Sequence, residues 1–229
     1  MKYRIAAGLL VATVSGSIVV AQTGASAPAP APAPEAPATP EEPQLTREMF
    51  LEDDVAPRFQ PAAFDTTIVM YTDYQCPYCR KAHLALKDLV KADRKVRILY
   101  RDWPIFGAAS ERAARLAIAS KWQGRHEQFH DALMRTPGML SEKSIRAAAD
   151  RAGVNWAVLQ KDLKAHSPEI EALLARNNLQ AEALGLSGTP GFIIGNTFVP
   201  GGVDLAGFKE LLKEARAEAA ADKLPRNAG

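Results

Sequence analysis

Cys76 and Cys79 are the only cysteines of the chain, and Pro77 and Tyr78 separate them. A pair with this spacing can be a redox-active disulfide, a structural staple or half of a metal site. A disulfide that closes so short a loop removes little chain entropy, and a four-thiolate zinc site would need a second pair. The spacing therefore favours thiol–disulfide exchange, in which the Cys76–Cys79 disulfide is itself the redox group and no separate cofactor or metal is expected.

The flanking patterns place this pair between a strand and a helix. Residues 66–71 are rich in β-branched and aromatic side chains and predict a buried strand, whereas residues 82–92 repeat apolar side chains at helical spacing. Cys76 would then begin the helix, where free amide groups and the helix dipole stabilise a thiolate. Cys79 would resolve a mixed disulfide from one turn further along. Pro77 suits a helix start because its missing N–H costs little there.

Further elements follow in the order strand, helices, strand, strand, helix. The sequence predicts a strand at 96–100, helices at 110–122, 125–134, 141–152, 155–165 and 167–184, a hairpin at 191–199 and a last helix at 205–221. Ser110 and Ser167 are expected to cap two of these helices. We therefore predict an α/β fold with an all-helical insertion near residues 104–184.

Composition limits the possible classes of protein. With 229 residues, 47% hydrophobic and 24% charged, the chain is expected to form one or two globular domains and not a disordered or polytopic membrane protein. Lys and Arg number 28 against 26 Asp and Glu, a net charge of +2. No strong field attracts nucleic acid, so no nucleic-acid partner is expected.

The N-terminal part has the pattern of an export signal. Lys2 and Arg4 precede a mostly apolar stretch at 5–20, and small residues allow cleavage after Ala21. We expect residues 1–21 to be a signal peptide, with an uncleaved membrane anchor as the alternative. Residues 22–43 are rich in proline and alanine and predict an extended linker, which leaves residues 44–229 as the domain.

Residues 73–79, Asp-Tyr-Gln-Cys-Pro-Tyr-Cys, resemble the active site of the DsbA-like thiol–disulfide oxidoreductases of bacterial envelopes. The resemblance covers about residues 64–221 and implies a thioredoxin-like fold with a helical domain inserted after the second strand. Residues 187–191 lie where this superfamily has its cis-proline, which implies a cis Thr189–Pro190 bond. The resemblance also implies substrate binding at Gly188, Thr189 and Pro190, with Pro77, Tyr78, Thr189 and Pro190 tuning the redox pair.

The activity implied is that of a periplasmic oxidase, which introduces disulfides into reduced or unfolded exported proteins. A membrane partner of the DsbB type would reoxidise it. The alternative is a reductase or isomerase, which a donor of the DsbD type would keep reduced. A third hypothesis is an envelope protein that binds copper(I) through the two thiols, with His83 as a further candidate ligand.

Related proteins often have a buried acid six residues before the first cysteine, and this chain has Met70 there. The proton acceptor of the second thiol must therefore lie elsewhere. Asp73 is the nearest acid. It is expected either to tune the pair or to bind backbone amides in a turn.

His126 and His130 form an His-Glu-x-x-His pattern, which is typical of zinc proteases. No suitable third ligand is apparent, and Phe129, Leu133 and Met134 predict an apolar face that packs the helix. Adventitious metal binding is the more plausible role of the two histidines. His83, four residues after Cys79, is expected to face solvent.

Overall fold

The computed structural model describes residues 3–4 and 46–222. The predicted signal peptide, apart from Tyr3 and Arg4, and the predicted linker lie outside these residues, so both stay predictions. Within the described part, none of the helices has the length and apolar character that a membrane span requires.

The secondary structure follows the predicted order, with two additional two-residue strands. The strands are β1 Tyr3–Arg4, β2 Arg58–Phe59, β3 Thr66–Thr72, β4 Val96–Asp102, β5 Gly191–Ile194 and β6 Thr197–Pro200. The helices are α1 Arg47–Leu51, α2 Pro77–Ala92, α3 Ala108–Ala119, α4 His126–Met134, α5 Glu142–Arg151, α6 Trp156–Ala165, α7 Ser167–Ala183 and α8 Leu205–Asp222, with a 3-10 helix at Ser120–Gln123.

The strands form one mixed sheet in the order β1-β6-β5-β3-β4-β2. Strands β3 and β4 are parallel, in a register that pairs Met70 with Tyr100 and Thr72 with Asp102. Strand β5 runs antiparallel to β3 and pairs Tyr71 with Gly191. A βαβ unit followed by a hairpin is the predicted α/β order, and helices α3 to α7 lie between β4 and β5.

Alternation along β3 and β4 divides the buried side chains between the two faces of the sheet. Ile68, Met70 and Tyr100 belong to a large apolar cluster that also contains both cysteines, whereas Tyr71 and Leu99 belong to a smaller cluster on the other face. The even-numbered residues of β3 and β4 therefore point to the face of the sheet against which the two cysteines pack.

Two predicted helix caps, Ser110 and Ser167, are wrong. Helix α3 begins at Ala108 after Gly107, which has a positive φ of 85°, and the Ser110 hydroxyl donates to Asp73 Oδ1 at 2.6 Å instead of capping the helix. Helix α7 begins at Ser167, so its cap residue is His166. In both cases the backbone turns before the serine, and its side chain is not needed at the helix end.

Candidate functional site: the Cys76–Cys79 dithiol

Cys76 is the residue that begins helix α2, as the sequence predicts. Its backbone is extended, with φ −74° and ψ 119°, and its Sγ accepts a hydrogen bond from the Cys79 N–H at 3.3 Å. Pro77 occupies the first turn of the helix. The sulfur thus takes the place of a capping oxygen and satisfies one of the free amides of the helix N-terminus.

The loop before β5 brings a second segment against this sulfur. The Thr189–Pro190 peptide bond is cis, which confirms the prediction. The Cys76 thiol donates to the carbonyl oxygen of Thr189 at 3.2 Å. Gly188 precedes this contact in the chain, and β5 starts directly after Pro190. Cys76 and Thr189 are 113 positions apart in the chain, and the pairing of β3 with β5 brings their segments together.

The pKa values of the two thiols are shifted in opposite directions. A hydrogen bond from the Cys79 thiol lowers the pKa of Cys76 to about 6, and the backbone amides of Tyr78 and Cys79 contribute although burial opposes the shift. Burial raises the pKa of Cys79 far above its usual value, and its interaction with Cys76 raises it further. The reduced pair therefore contains one thiolate and one thiol near neutral pH.

Asp73 is buried and its carboxylate accepts four hydrogen bonds. Oδ1 accepts from the Gln75 N–H at 2.7 Å and from the Ser110 hydroxyl at 2.6 Å. Oδ2 accepts from the N–H groups of Ile105 and Phe106 at 2.8 and 3.1 Å. These contacts agree with the expectation that Asp73 binds backbone amides. They fix the loop before Cys76 to the start of the helical insertion.

Gln75 fixes the same loop to two further segments. Its Nε2 donates to the carbonyl of Phe106 at 3.0 Å, and its Oε1 accepts from the N–H of Leu140 at 2.9 Å. Phe106 and Met139 are 48% and 77% exposed, and Tyr78 between the cysteines is 64% exposed. Exposed apolar side chains thus surround the segment that carries the thiols.

Asp102 was missed by the sequence analysis. It ends β4 opposite Thr72, is 1% exposed and has no hydrogen-bond partner for either carboxylate oxygen among the described residues. Burial raises its pKa to about 7, with the Asp73 charge adding to the shift and the neighbouring Tyr74 hydroxyl opposing it. The predicted strand ends at residue 100, so this acid lies outside every predicted element, whereas β4 continues to Asp102.

Three of the four histidines, His83 on α2 and His126 and His130 on α4, form a buried cluster. His83 is 3% exposed, and its Nε2 lies 2.8 Å from Asp131 Oδ1, so the expectation that it faces solvent is wrong. Helix α4 covers the solvent side of this part of α2. Nδ1 of His130 hydrogen-bonds to the Tyr74 hydroxyl at 2.9 Å.

His126 is 6% exposed, and burial lowers its pKa to about 3. Its partner in the His-Glu-x-x-His pattern, His130, lies between aromatic rings and not beside carboxylates. Phe129, Leu133 and Met134 are buried as predicted. Among the described residues no group of three or more His, Cys, Asp or Glu side chains could hold a metal ion.

Solved structures with this fold are similar to most of the chain. A thioredoxin-like oxidoreductase from Silicibacter pomeroyi DSS-3 is 38% identical, with a TM-score of 0.72, over 76% of this chain and 99% of its own. A periplasmic thioredoxin-like protein from Salmonella enterica serovar Typhimurium is 26% identical, with a TM-score of 0.68, over 76% and 99%. The thiol-disulfide exchange protein alpha-DsbA2 of Wolbachia pipientis is 27% identical, with a TM-score of 0.69, over 73% and 90%.

The curated relatives are longer proteins. Na(+)/H(+) antiporter NhaA 1 of Salinispora arenicola is 26% identical over 136 residues, which are 58% of this chain and 21% of that protein. The chain thus spans about a fifth of the length of the curated relatives that it matches. The profile of the DSBA-like thioredoxin domain matches residues 67–213. With the thioredoxin-like sheet, the helical insertion and the dithiol at the start of α2, this match shows that the chain belongs to the DSBA-like thioredoxin domain family.

Proposed function

We propose that this protein is an exported disulfide oxidase that acts on reduced or unfolded proteins in the periplasm. The observation that carries the proposal is the division of acidity in the dithiol, with the pKa of Cys76 lowered to about 6 and that of buried Cys79 raised. A sulfur that is stable as a thiolate is a good leaving group, so a disulfide that contains it is readily reduced by a substrate.

The reaction exchanges two electrons and begins from the Cys76–Cys79 disulfide. A substrate thiolate attacks Cys76, the bond between the two cysteines breaks, and Cys79 leaves and is protonated. A second substrate thiolate then attacks the substrate sulfur of the mixed disulfide, and Cys76 leaves as a thiolate. The substrate gains a disulfide and the protein keeps two reduced cysteines. A DsbB-type membrane partner would remove these electrons.

The surroundings of Cys76 suit an extended polypeptide. Thr189 presents its carbonyl beside the sulfur, and Gly188 and Thr189 precede β5 outside its pairing with β3 and β6, so their backbone can bind an extended substrate segment. Exposed Tyr78, Phe106 and Met139 offer an apolar surface of low specificity. The exposed apolar side chains of an unfolded substrate can bind to such a surface. Export is supported by the N-terminal pattern and by the similar periplasmic protein of Salmonella enterica.

A reductase or isomerase with a DsbD-type donor is the second candidate. It would use the same Cys76 thiolate, whose pKa is lowered, to attack a substrate disulfide. The direction of electron flow follows from the reduction potential of the pair.

Two measurements test the proposal. Cys79→Ser should accumulate mixed disulfides between Cys76 and exported proteins, because the attack that resolves them is removed, whereas the matched variant Cys76→Ser should trap none. Equilibration of the wild-type protein with glutathione should give a potential well above about −180 mV, towards the ~−120 mV of DsbA. A potential near −200 mV or lower would reject the oxidase in favour of the reductase or isomerase. Absence of trapped intermediates would reject thiol exchange altogether.

A further inference from the structure

The last inward-facing residues of β3 and β4 are both polar. Thr72 and Asp102 are paired in the parallel register and point to the face that contains Met70, Tyr100 and Cys79. Each is 1% exposed. The Thr72 hydroxyl and both carboxylate oxygens of Asp102 have no hydrogen-bond partner among the residues that the structure describes. Buried polar atoms are rarely left without partners, so the pair requires an explanation.

Cys79 has a chemical need that these groups can meet. Its side chain is 0% exposed, so bulk water has no direct access to its proton. Yet Cys79 must lose a proton to attack a mixed disulfide and must regain one when it leaves a disulfide. The Thr72 hydroxyl is near enough to the Cys79 thiol to lower its pKa, in opposition to the dominant effect of burial. A hydroxyl can accept one proton and donate another.

Other acids near the pair are less suitable. Met70 has no titratable group, although it lies on the same face of the sheet as Cys79. The carboxylate of Asp73 is saturated by four donors from the loop and from the start of the insertion. Asp102 instead combines burial with carboxylate oxygens that have no hydrogen-bond partner among the described residues, although the Tyr74 hydroxyl is near enough to lower its pKa.

We propose that Asp102 exchanges the proton of Cys79 through the Thr72 hydroxyl, which makes Asp102 and Thr72 positioning residues for the second half of thiol–disulfide exchange. This inference rests on the proposed function of the dithiol. It identifies the proton acceptor that Met70 cannot supply. Catalytic hydrogen bonds are often open in the resting protein and close in the reacting complex. Thr72 and Asp102 are register partners on neighbouring strands, and their side-chain oxygens have no hydrogen-bond partner among the described residues.

The proton balance is the same in both directions of exchange. When Cys79 attacks a Cys76–substrate disulfide, its proton moves to Thr72, and the Thr72 proton moves to the Asp102 carboxylate. The Cys76–Cys79 bond forms and the substrate leaves as a thiolate. When a substrate thiolate opens the Cys76–Cys79 disulfide, Cys79 leaves as a thiolate and the protonated Asp102 returns the proton along the same route.

The groups that face Asp102 keep this proton mobile near neutral pH. The loop before α2 contributes Asp73 and Tyr74, whose charge and hydroxyl act on Asp102 in opposite directions. Strand β4 contributes Tyr100, and α4 contributes His130 through its bond to Tyr74. From α7, the Asn177 amide donates to the Asp102 backbone carbonyl and not to its side chain. With a pKa of about 7, Asp102 is a base above that pH and an acid below it.

The test follows the reduced full-length protein as it reacts with a chromogenic aromatic disulfide in a stopped-flow instrument. Attack by Cys76 releases the first coloured thiolate, and attack by Cys79 on the mixed disulfide releases the second. In the wild type the second rate should rise with pH through about 7 as Asp102 becomes a base. Asp102→Asn should lower the second rate about 10²-fold above that pH and remove this rise, with the first rate unchanged.

Thr72→Val and Thr72→Ser form a second pair, which keeps the test decisive if Asp102→Asn folds poorly. Valine should slow the second release alone, and serine should restore it. Asp88→Asn, an exposed carboxylate on α2, is the matched control and should change neither rate. A second release in Asp102→Asn or Thr72→Val that keeps the wild-type rate and pH dependence would overturn the relay. Absence of the first release from the wild type would overturn the proposed function and the relay with it.

Discussion

Arg101 and Asp102 are neighbours in β4 and lie on opposite faces of the sheet, where their charges have different hydrogen-bond partners. Arg101 is 0% exposed, and its terminal nitrogens donate to Asp53 Oδ2 at 2.8 Å and to the Phe50 carbonyl at 2.8 Å. Asp53 also receives hydrogen bonds from Arg176. On the other face Asp102 is almost as deeply buried, and both of its carboxylate oxygens lack a partner among the described residues.

The difference separates a structural charge from one that is available for proton transfer. Burial of Asp53 is overcome by the hydrogen bonds from its two arginines, and its pKa is lowered. That arrangement fixes residues 49–53 to β4 and keeps its charges at neutral pH. For Asp102 the Tyr74 hydroxyl offsets only part of the effect of burial, so its pKa rises to about 7 and its charge becomes variable in the range where thiols react.

The largest effect on the free energy of unfolding is expected from removal of Arg101, whose hydrogen bonds satisfy the buried charges on its face of the sheet. Arg101→Leu leaves the Asp53 carboxylate and the Phe50 carbonyl without a buried donor, which should lower the free energy of unfolding by about 3–5 kcal/mol. Urea denaturation of the variant and the wild type at the same pH measures this change. The folded fraction should still release both thiolates from the aromatic disulfide at wild-type rates.

Arg176→Ala is the matched control for Arg101. It removes the other arginine of Asp53, whose side chain is 41% exposed, so it should lower the free energy of unfolding by no more than about 1 kcal/mol. Equal losses in the two variants would show that burial of Arg101 adds nothing to the ion pair, and the contrast between the faces would fail.

On the unpartnered face, removal of the charge should stabilise the protein in alkaline solution. The pKa of Asp102 is raised from 3.8 to about 7, so the native state holds a proton more tightly than the unfolded state. The associated stability is present below about pH 4 and is lost as the pH rises through about 7. At about 1.4 kcal/mol per pKa unit, Asp102→Asn should gain up to about 4 kcal/mol relative to the wild type between about pH 4 and pH 8.

Chemical denaturation of both proteins at several pH values measures this gain. The matched Asp88→Asn variant should show no such trend, because Asp88 is exposed. A constant difference between Asp102→Asn and the wild type at all pH values would mean that Asp102 titrates normally, and its role as a proton carrier would lose its thermodynamic support.

The sequence sufficed for much of the fold and for the centre of the site. The strand and helix periods around Cys76, the proline at the helix start and the resemblance at Thr189–Pro190 are local signals, and the structure confirms the helix-start position of Cys76 and the cis bond. The roles assigned to Pro77, Tyr78, Gly188 and Asp73 stay predictions, although the structure places all four at or next to the dithiol.

What the sequence could not supply are contacts between distant segments. The position of Asp102 beside Thr72 depends on the parallel register of β3 and β4. The burial of His83 depends on α4, whose Asp131 lies 48 residues further along the chain. The alternating pattern that predicts β4 ends at residue 100. The next two residues are charged, which is typical of a solvated loop. A charge at the end of a buried strand has an apolar environment only after its neighbours have assembled.

The smallest effect in this comparison concerns two buried hydroxyls. Thr72→Val removes one that has no hydrogen-bond partner in the described part of the chain, so the free energy of unfolding should change by less than about 0.5 kcal/mol or increase. Thr136→Val removes one that donates to the Ala132 carbonyl at 2.8 Å and accepts from Arg151 at 3.0 Å. That change should cost about 1 kcal/mol, because the Ala132 carbonyl and the Arg151 guanidinium each lose a hydrogen bond to the hydroxyl.

Urea denaturation of both threonine variants, together with the two-step release from the aromatic disulfide, separates stability from function. Thr72→Val should keep the wild-type stability and lose the fast second release, whereas Thr136→Val should lose stability and keep both rates. If Thr72→Val were as destabilising as Thr136→Val, the hydroxyl would serve the fold. The unpartnered end of β3 would then be an ordinary part of the core and not a route for protons.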